Sequence, residues 1–399
     1  MLAATARVAG DLDLAEECVQ DAYVAALEAW ARQGVPRNPG AWLTTAARRR
    51  AIDAHRRDQT LRRKLPLLIE PEPPAAAPGA GSMAGEETIP DDRLRLIFTC
   101  CHPALGREAQ VALTLRLVCG LTTAEIAAAF LVPEATMAAR VTRAKKKITA
   151  ARIPYRVPAA ADLPDRLDAV LTVVHLLFTT GHAAPAGPGL VRADLADRAI
   201  GLARLLLALM PDEREVSGLL ALLLLTDARR PARAAPDGRL LLLEEQDRGR
   251  WDRAAIAEGG ALVRQALRGG RPGRFALQAA IAALHSEAPS YPATDWPQIL
   301  ALYGLLLQAW PSPVVALNRA VALAMAEGPA AGLAEIEALE AGGQLAGYRY
   351  LPAAKADLLR RLGRRDEAAR AYRAALALAG NETEQDFLTR RLAEVTREP

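Results

Sequence analysis

The stretch "GLTTAEIAAAFLVPEATMAARVTRAKKKI", residues 120–148, leaves the backbone few choices. The pattern predicts a helix before it, from about Arg107 to Val118, with Gly120 placed to end that helix in the left-handed conformation. Thr122 or Thr123 caps the next helix, and Glu125, three residues after Thr122, completes a capping box. Ile126, Ala127 and Phe130 give that helix a core stripe, and Leu131-Val132 make a tight break. Pro133 suits the first position of a further helix running to about Ile148. Two short helices, a tight turn and a following helix with a basic end make a helix-turn-helix. The helix after the turn enters the DNA major groove by its N-terminal part. The exposed positions there are Glu134, Ala135, Thr136, Ala138, Ala139 and Arg140, while Met137, Val141 and Ile148 read as core. Arg143, Lys145, Lys146 and Lys147 follow along the helix and suit phosphates, which position a protein without specifying sequence. The bland alternative is a helical hairpin with a basic surface.

A second basic module lies upstream, over residues 11–64. "DLDLAEECVQDAYVAALEAW" reads as a long helix whose buried side takes Leu14, Val19 or Cys18, Ala22, Ala26 and Trp30. Glu16, Glu17, Gln20 and Asp21 crowd its first half, an acidic patch suited to a basic partner. "GVPRNPGA" then breaks the chain with Gly and Pro. "WLTTAARRRAIDAHRR" follows as a basic helix, in which Arg48, Arg49, Arg56 and Arg57 suit a phosphate backbone. Trp42, Thr44 and Thr45 suit bases of unpaired DNA, where stacking and edge hydrogen bonds do the reading. A plain core role for Trp42 stands beside that reading.

The net charge of +4 conceals these clusters: seven Lys/Arg and no acid lie from Arg140 to Arg156, and eight against two Asp from Arg48 to Lys64. Such runs suggest a polyanion partner. Cysteines occur only at 18, 100, 101 and 119, too few and scattered for a disulfide scaffold, which points to a reducing cytoplasm. "FTCCHPAL" at 98–105 looks at first like a metal or thiol site. Read as a helix over 91–101, it puts Leu94, Ile97, Phe98 and Cys101 on one apolar face, with Cys100 turned about 100° away. No CxxC or HxxxH supplies further ligands, so the stretch reads as the end of a core helix, with His102-Pro103 its stop and no metal. No signal peptide is evident, and the most apolar run, Leu219–Leu225, is too short to span a bilayer. Ala and Leu dominate, which favours an all-α chain.

"AEECVQDAYVAALEAW", "NPGAWLTTAARRRAIDAHRR" and "GLTTAEIAAAFLVPEATMAARVTRAKKKI", in this order, resemble regions 2 and 4 (σ2 and σ4) of a bacterial sigma factor of the extracytoplasmic function (ECF) class. "LRLIFTCCHPAL" is similar to the wording of the subfamily with a long helical C-terminal extension. The resemblance implies a factor without catalytic activity or cofactor. It would direct core RNA polymerase to promoter DNA, with Glu16, Glu17, Gln20 and Asp21 docking the β′ clamp helices. The segment from Asn38 to Arg57, carrying Asn38, Trp42, Thr45, Arg48, Arg49, Arg56 and Arg57, would melt and read the −10 element. The helix from Pro133 to Lys147 would read the −35 element, on a scaffold seated at the β flap. Two departures stand out. Only "MLAATARVAG" remains of the helix that normally begins region 2, so the natural protein is expected to extend upstream of Met1. Ala135 also stands where many members carry Gly.

The expected organisation is region 2 over 1–64, a flexible linker over 65–90, region 4 over 91–156 and a helical extension over 157–399. The linker is rich in Pro, Ala and Gly. In the extension, "LLRRLGRRDEAARAYRAALALAGN" resembles a tetratricopeptide repeat (TPR), and "NRAVALAMAEGPAAGLAEIEAL" echoes it. Gly328 and Gly363 are 35 apart, close to the repeat length of about 34. An α-solenoid lobe is expected, regulating the factor through a protein or ligand partner. His175, His182, His285, Asp247, Asp252, Glu258 and Asp295 are scattered through it without catalytic or metal spacing. "EEQDRGRWDR" is its best candidate loop, though a charge-laced helix entrance is the preferred reading. A stand-alone helix-turn-helix regulator would leave 11–64 unexplained, and a TPR-type interaction scaffold would need a ligand pocket that the sequence does not advertise.

Overall fold

The structure is a computed structural model that describes residues 1–64, 92–130, 132–153, 155, 163–182, 192–235, 239–380 and 382–397. The expected linker over 65–90 lies outside the described residues. Among them the regular elements are helices, joined by one isolated bridge between Ala234 and Leu240, so the all-α class holds. The chain divides into two compact units, Met1–Val173 and Val174–Pro399.

The first unit contains α1 (Leu2–Ala9), α2 (Leu12–Gln33), α3 (Pro39–Lys64), α4 (Asp92–Cys100), α5 (Arg107–Leu117), α6 (Thr123–Ala129) and α7 (Glu134–Ala150). Gly10 ends α1 at φ 66°, and its N–H donates to the Ala6 carbonyl. Asp11 then caps α2 by accepting the Leu14 N–H at 2.9 Å. The buried stripe of α2 is Leu12, Ala15, Cys18, Ala22 and Ala26. Cys18 is therefore the core residue of the expected pair, while Leu14, Val19 and Trp30 are only half-buried. The small side chains let α3 approach closely: Ala22 and Ala26 meet Leu43 and Ala47, and Trp30 and Trp42 close one end edge-to-face at 5.6 Å.

Helix α4 corrects one expectation. Ile97, Phe98 and Cys101 are buried as expected, but Cys100 is fully buried too. The reason is tertiary: α1 packs on one side of α4 and α5 on another, so two faces are covered. Burial pushes the Cys101 thiol up to about 12 and raises Cys100 well above its ordinary value, so both thiols stay protonated. After α4 the corner closes on Gln110, whose Nε2 donates to the His102 and Leu105 carbonyls at 2.9 and 3.1 Å.

The second unit takes up the C-terminal end of α8 (Leu163–His182) and continues through α9 (Ala193–Leu209), α10 (Arg214–Asp227), α11 (Arg253–Ala266) and α12 (Arg274–Glu287). It ends with α13 (Trp296–Ala309), α14 (Pro313–Ala326), α15 (Pro329–Ala341), α16 (Tyr350–Arg361), α17 (Arg365–Leu378) and α18 (Glu382–Thr396). Helix α10 is buried from Val216 to Leu225 because α9, α11 and α12 surround it. From α12 onward each helix packs on the next. The two stretches read as repeat-like each fold into a helix pair, α14 with α15 and α16 with α17, turning at Gly328 (φ 108°) and Gly363 (φ 73°). Gly332 lets α15 press on α14, since a Cβ there would stand 2.5 Å from the Ala320 carbonyl oxygen and from Ala324 Cβ. Among the described residues no helix is long and apolar enough to cross a membrane, and no group of three or more His, Cys, Asp or Glu gathers as a metal site would.

Candidate nucleic-acid interface

The turn between α5 and α7 follows the local chemistry. Gly120 adopts φ 72°. Thr122 N–H donates to Glu125 Oε2 at 2.7 Å, and Glu125 N–H donates to Thr122 Oγ1 at 3.2 Å, so the capping box is formed. Thr122, not Thr123, is the capping residue. Pro133 caps α7 with an extended ψ of 145° instead of occupying its first turn, one residue from the expected place. Met137, Val141, Ala144 and Ile148 anchor α7 in the core.

The opposite face of α7 carries the expected contact residues. Glu134, Ala135, Thr136, Ala138, Ala139, Arg143, Lys146 and Lys147 are exposed. Arg140 is not fully exposed as expected: its side chain is 21% exposed, pairs with Glu108 of α5 at 2.9 Å and lies over the half-buried Phe130 ring. Lys145 is also drawn inward. Its Nζ pairs with Asp13 at 3.1 Å and with Glu16, both on α2. Burial alone would lower the Lys145 pKa, but hydrogen bonds to Glu16 and Asp13 outweigh it and raise the value. One turn on, Thr149 Oγ1 donates to Asp11 Oδ2 at 3.2 Å.

The first part of α2 is accordingly not one uniform acidic patch. Glu16 is half-buried against Lys145, whereas Glu17, Gln20 and Asp21 are exposed. Asp21 pairs with Arg50 of α3 at 3.1 Å. Beside these acids lies an apolar strip that the reading by charge missed: Tyr23, Val24 and Leu27 are 52%, 57% and 74% exposed. The signal was present in the sequence, because these three lie off the stripe of Ala15, Cys18, Ala22 and Ala26.

On α3, Thr45, Arg48, Arg49, Arg56 and Arg57 are exposed. Asn38 Oδ1 accepts the Ala41 N–H at 3.0 Å, so this side chain caps α3. Thr44 Oγ1 donates to the Gly40 carbonyl at 2.8 Å. Trp42 is half-buried in the cluster with Trp30, which leaves one part of its ring surface open. Two helical surfaces, one basic on α3 and one mixed on α7, thus stand in a single compact unit with an acidic and apolar strip on α2.

Three family descriptions match stretches of this chain. The description sigma-70 region 2 matches residues 2–60, and sigma-70, region 4 matches residues 95–148. A family of unknown function (DUF6596) matches residues 166–267. An uncharacterised protein of Rhizobium meliloti (strain 1021) is 46% identical over 391 residues, covering 98% of this chain and 92% of that protein. No solved structure matches the chain.

Proposed function

The chain belongs to the sigma-70 family of transcription initiation factors, of the ECF type with a C-terminal extension, and from that membership we propose how its surfaces divide the work. A sigma factor binds core RNA polymerase and promoter DNA and is not itself an enzyme. In this reading α3 melts and reads the −10 element. Arg48, Arg49, Arg56 and Arg57 follow the phosphates, and Trp42 and Thr45 meet unpaired bases. Helix α7 lies in the major groove of the −35 element. Glu134, Thr136, Ala138 and Ala139 face base edges, while Arg143, Lys146 and Lys147 hold phosphates. Glu17, Gln20 and Asp21, with the exposed Tyr23, Val24 and Leu27 beside them, form the docking strip for the β′ clamp helices, and the region 4 scaffold sits on the β flap.

The observation that carries the reading is the exposed face of α7, where small and polar side chains come first and cations follow. That order suits base edges at the helix N-terminus and phosphates further along. In vitro transcription with core polymerase on a genomic promoter library tests it. New specific transcripts whose −35 word changes with Thr136→Arg are expected; absence of specific transcripts refutes the reading. The C-terminal unit, with its own core, is proposed to regulate initiation through a protein or ligand partner. Deleting residues beyond about 160 is expected to change transcription, and unchanged output would count against regulation.

A further inference from the structure

Between α10 and α11 the chain makes two short 3-10 turns, Arg230–Ala232 and Arg248–Arg250, tied together where Asp252 N–H donates to the Ala228 carbonyl at 2.9 Å. Four arginines converge on this corner. Arg230 is neutralised, by Asp197 and Asp227 at 2.7 Å each. The other three differ: among the described residues no carboxylate lies within ion-pair distance of Arg229, Arg233 or Arg248, and Asp227, engaged with Arg230, acts on Arg233 only from further off.

Neutral groups hold two of them in place. Arg248 Nη1 donates to the His285 and Ala288 carbonyls at 2.7 and 2.8 Å. Its guanidinium lies 4.4 Å over the ring of the buried Trp251, and its Nη2 is buried without a partner. Arg233 donates to the His182 carbonyl. Arg229 makes no side-chain hydrogen bond among the described residues. Burial first, then the nearby charges of Arg233 and Arg248, push its pKa down to about 10. His182 and His285 lie close enough to feel its charge; their Nδ1 atoms are buried without partners, as is Trp251 Nε1. Burial and the same arginines hold these imidazoles neutral, at about 3 for His182 and about 4 for His285.

Three like charges kept close together and half-buried, two of them held by neutral carbonyls and all beside polar ring atoms without partners, are unfavourable unless an anion joins them. Arginine is the side chain suited to this, since its planar fork matches phosphate and carboxylate. We propose that Arg229, Arg233 and Arg248, with Trp251 Nε1 and the His182 and His285 rings, form a binding site for a small oxyanion, a molecule presenting a phosphate or carboxylate group. This gives the corner written "EEQDRGRWDR" a ligand-binding role in addition to its capping one, in which Asp247 and Asp252 hold the local turns. The site lies wholly within the second unit. Its occupancy is read without polymerase, so a failure here leaves the initiation-factor reading standing.

Isothermal titration of the full chain tests the site, with inorganic phosphate in one arm and succinate in the other at constant ionic strength. Saturable binding of one equivalent is expected in at least one arm, and the stronger arm names the chemistry. Arg229→Gln should weaken it at least tenfold, and Arg229→Lys, which keeps the charge but loses the fork, should weaken it less. Arg370→Gln, in the exposed arginine group of α17, should leave it unchanged. Circular dichroism checks that each variant is folded, and Arg229→Lys carries the test should Arg229→Gln unfold. Absence of saturable binding in both arms, or affinity unaltered in the folded Arg229 variants, overturns the proposal.

Discussion

Neutralising Asp13 and Glu16 together should free Lys145 for DNA. Lys145 is 15% exposed, against 25% for Glu16 and 63% for Asp13. At the 3.1 Å separation from Asp13, Coulomb's law gives about 1.3 kcal/mol in bulk water and about 5 kcal/mol at an effective dielectric of about 20. The exposed Asp13 belongs near the first figure and the sheltered Glu16 nearer the second. Desolvation and side-chain entropy offset most of either, leaving about 1–2 kcal/mol for the network. A difference of that size changes a population by about 5- to 30-fold. The expected outcome for Asp13→Asn/Glu16→Gln is therefore up to about 30-fold tighter binding of the full chain to a −35 duplex at low salt. One added phosphate contact should also steepen the slope of log affinity against log salt by about 0.9. Fluorescence anisotropy across about 50 to 200 mM salt measures both. Glu17→Gln/Glu28→Gln removes the same charge from exposed positions of α2 and is the control for a general field effect. An unchanged slope, or an equal gain in the control, refutes the claim that the ion-pair network withholds Lys145 from phosphate. Adding Lys145→Met to the first variant should return the slope to its starting value.

Other expectations follow from single contacts. Glu125→Ala removes one half of the Thr122 capping box and should destabilise α6 by about 1 kcal/mol, seen as roughly fivefold faster amide exchange there; unaltered exchange would contradict the cap's role. Gly332→Val places atoms where Ala320 and Ala324 already stand and should destabilise the second unit by about 1–3 kcal/mol. Gly201→Ala in α9, where a Cβ meets nothing within 4 Å, should instead stabilise by up to about 1 kcal/mol, and thermal denaturation of the two variants separates the effects. His175, His182 and His285 are held neutral at about 4, 3 and 4 by burial first and by nearby arginines second. Their folded values lie below the unfolded value of about 6.5, so the stability they contribute is present above pH 6.5 and is lost as pH falls towards 4. The unfolding midpoint of the second unit should drop through that window, and substituting His175 by Phe should flatten the drop.

The helix-turn-helix was legible because its determinants are local. A glycine at positive φ, a Thr–Glu box and a proline each act within four residues, so the order of α5, α6 and α7 could be written down before any contact was known. The same holds for the exposed face of α7 and the basic face of α3, which follow from helical periodicity. Periodicity also misled where two faces of one helix are covered. A single apolar stripe places Cys100 away from the core, yet α1 and α5 together bury it.

Charge patterning announced which residues could meet a polyanion, but not which of them are already engaged. Lys145 and Arg140 sit on a basic helix in the sequence, and only packing brings Asp13, Glu16 and Glu108 to them from helices far away in the chain. In the second unit His182, Arg229, Arg248 and His285 are spread over about a hundred residues without any recognisable spacing. Helix packing brings His285 to Arg248 and His182 to Arg233, because a stack of helices brings successive turns to the same edge. By itself, then, the sequence determined the helices, their caps and the family to which they belong, since those depend on neighbours along the chain. The tertiary structure alone decided which charges remain free and which are paired, because ion pairs and burial depend on distances through space that no local pattern encodes.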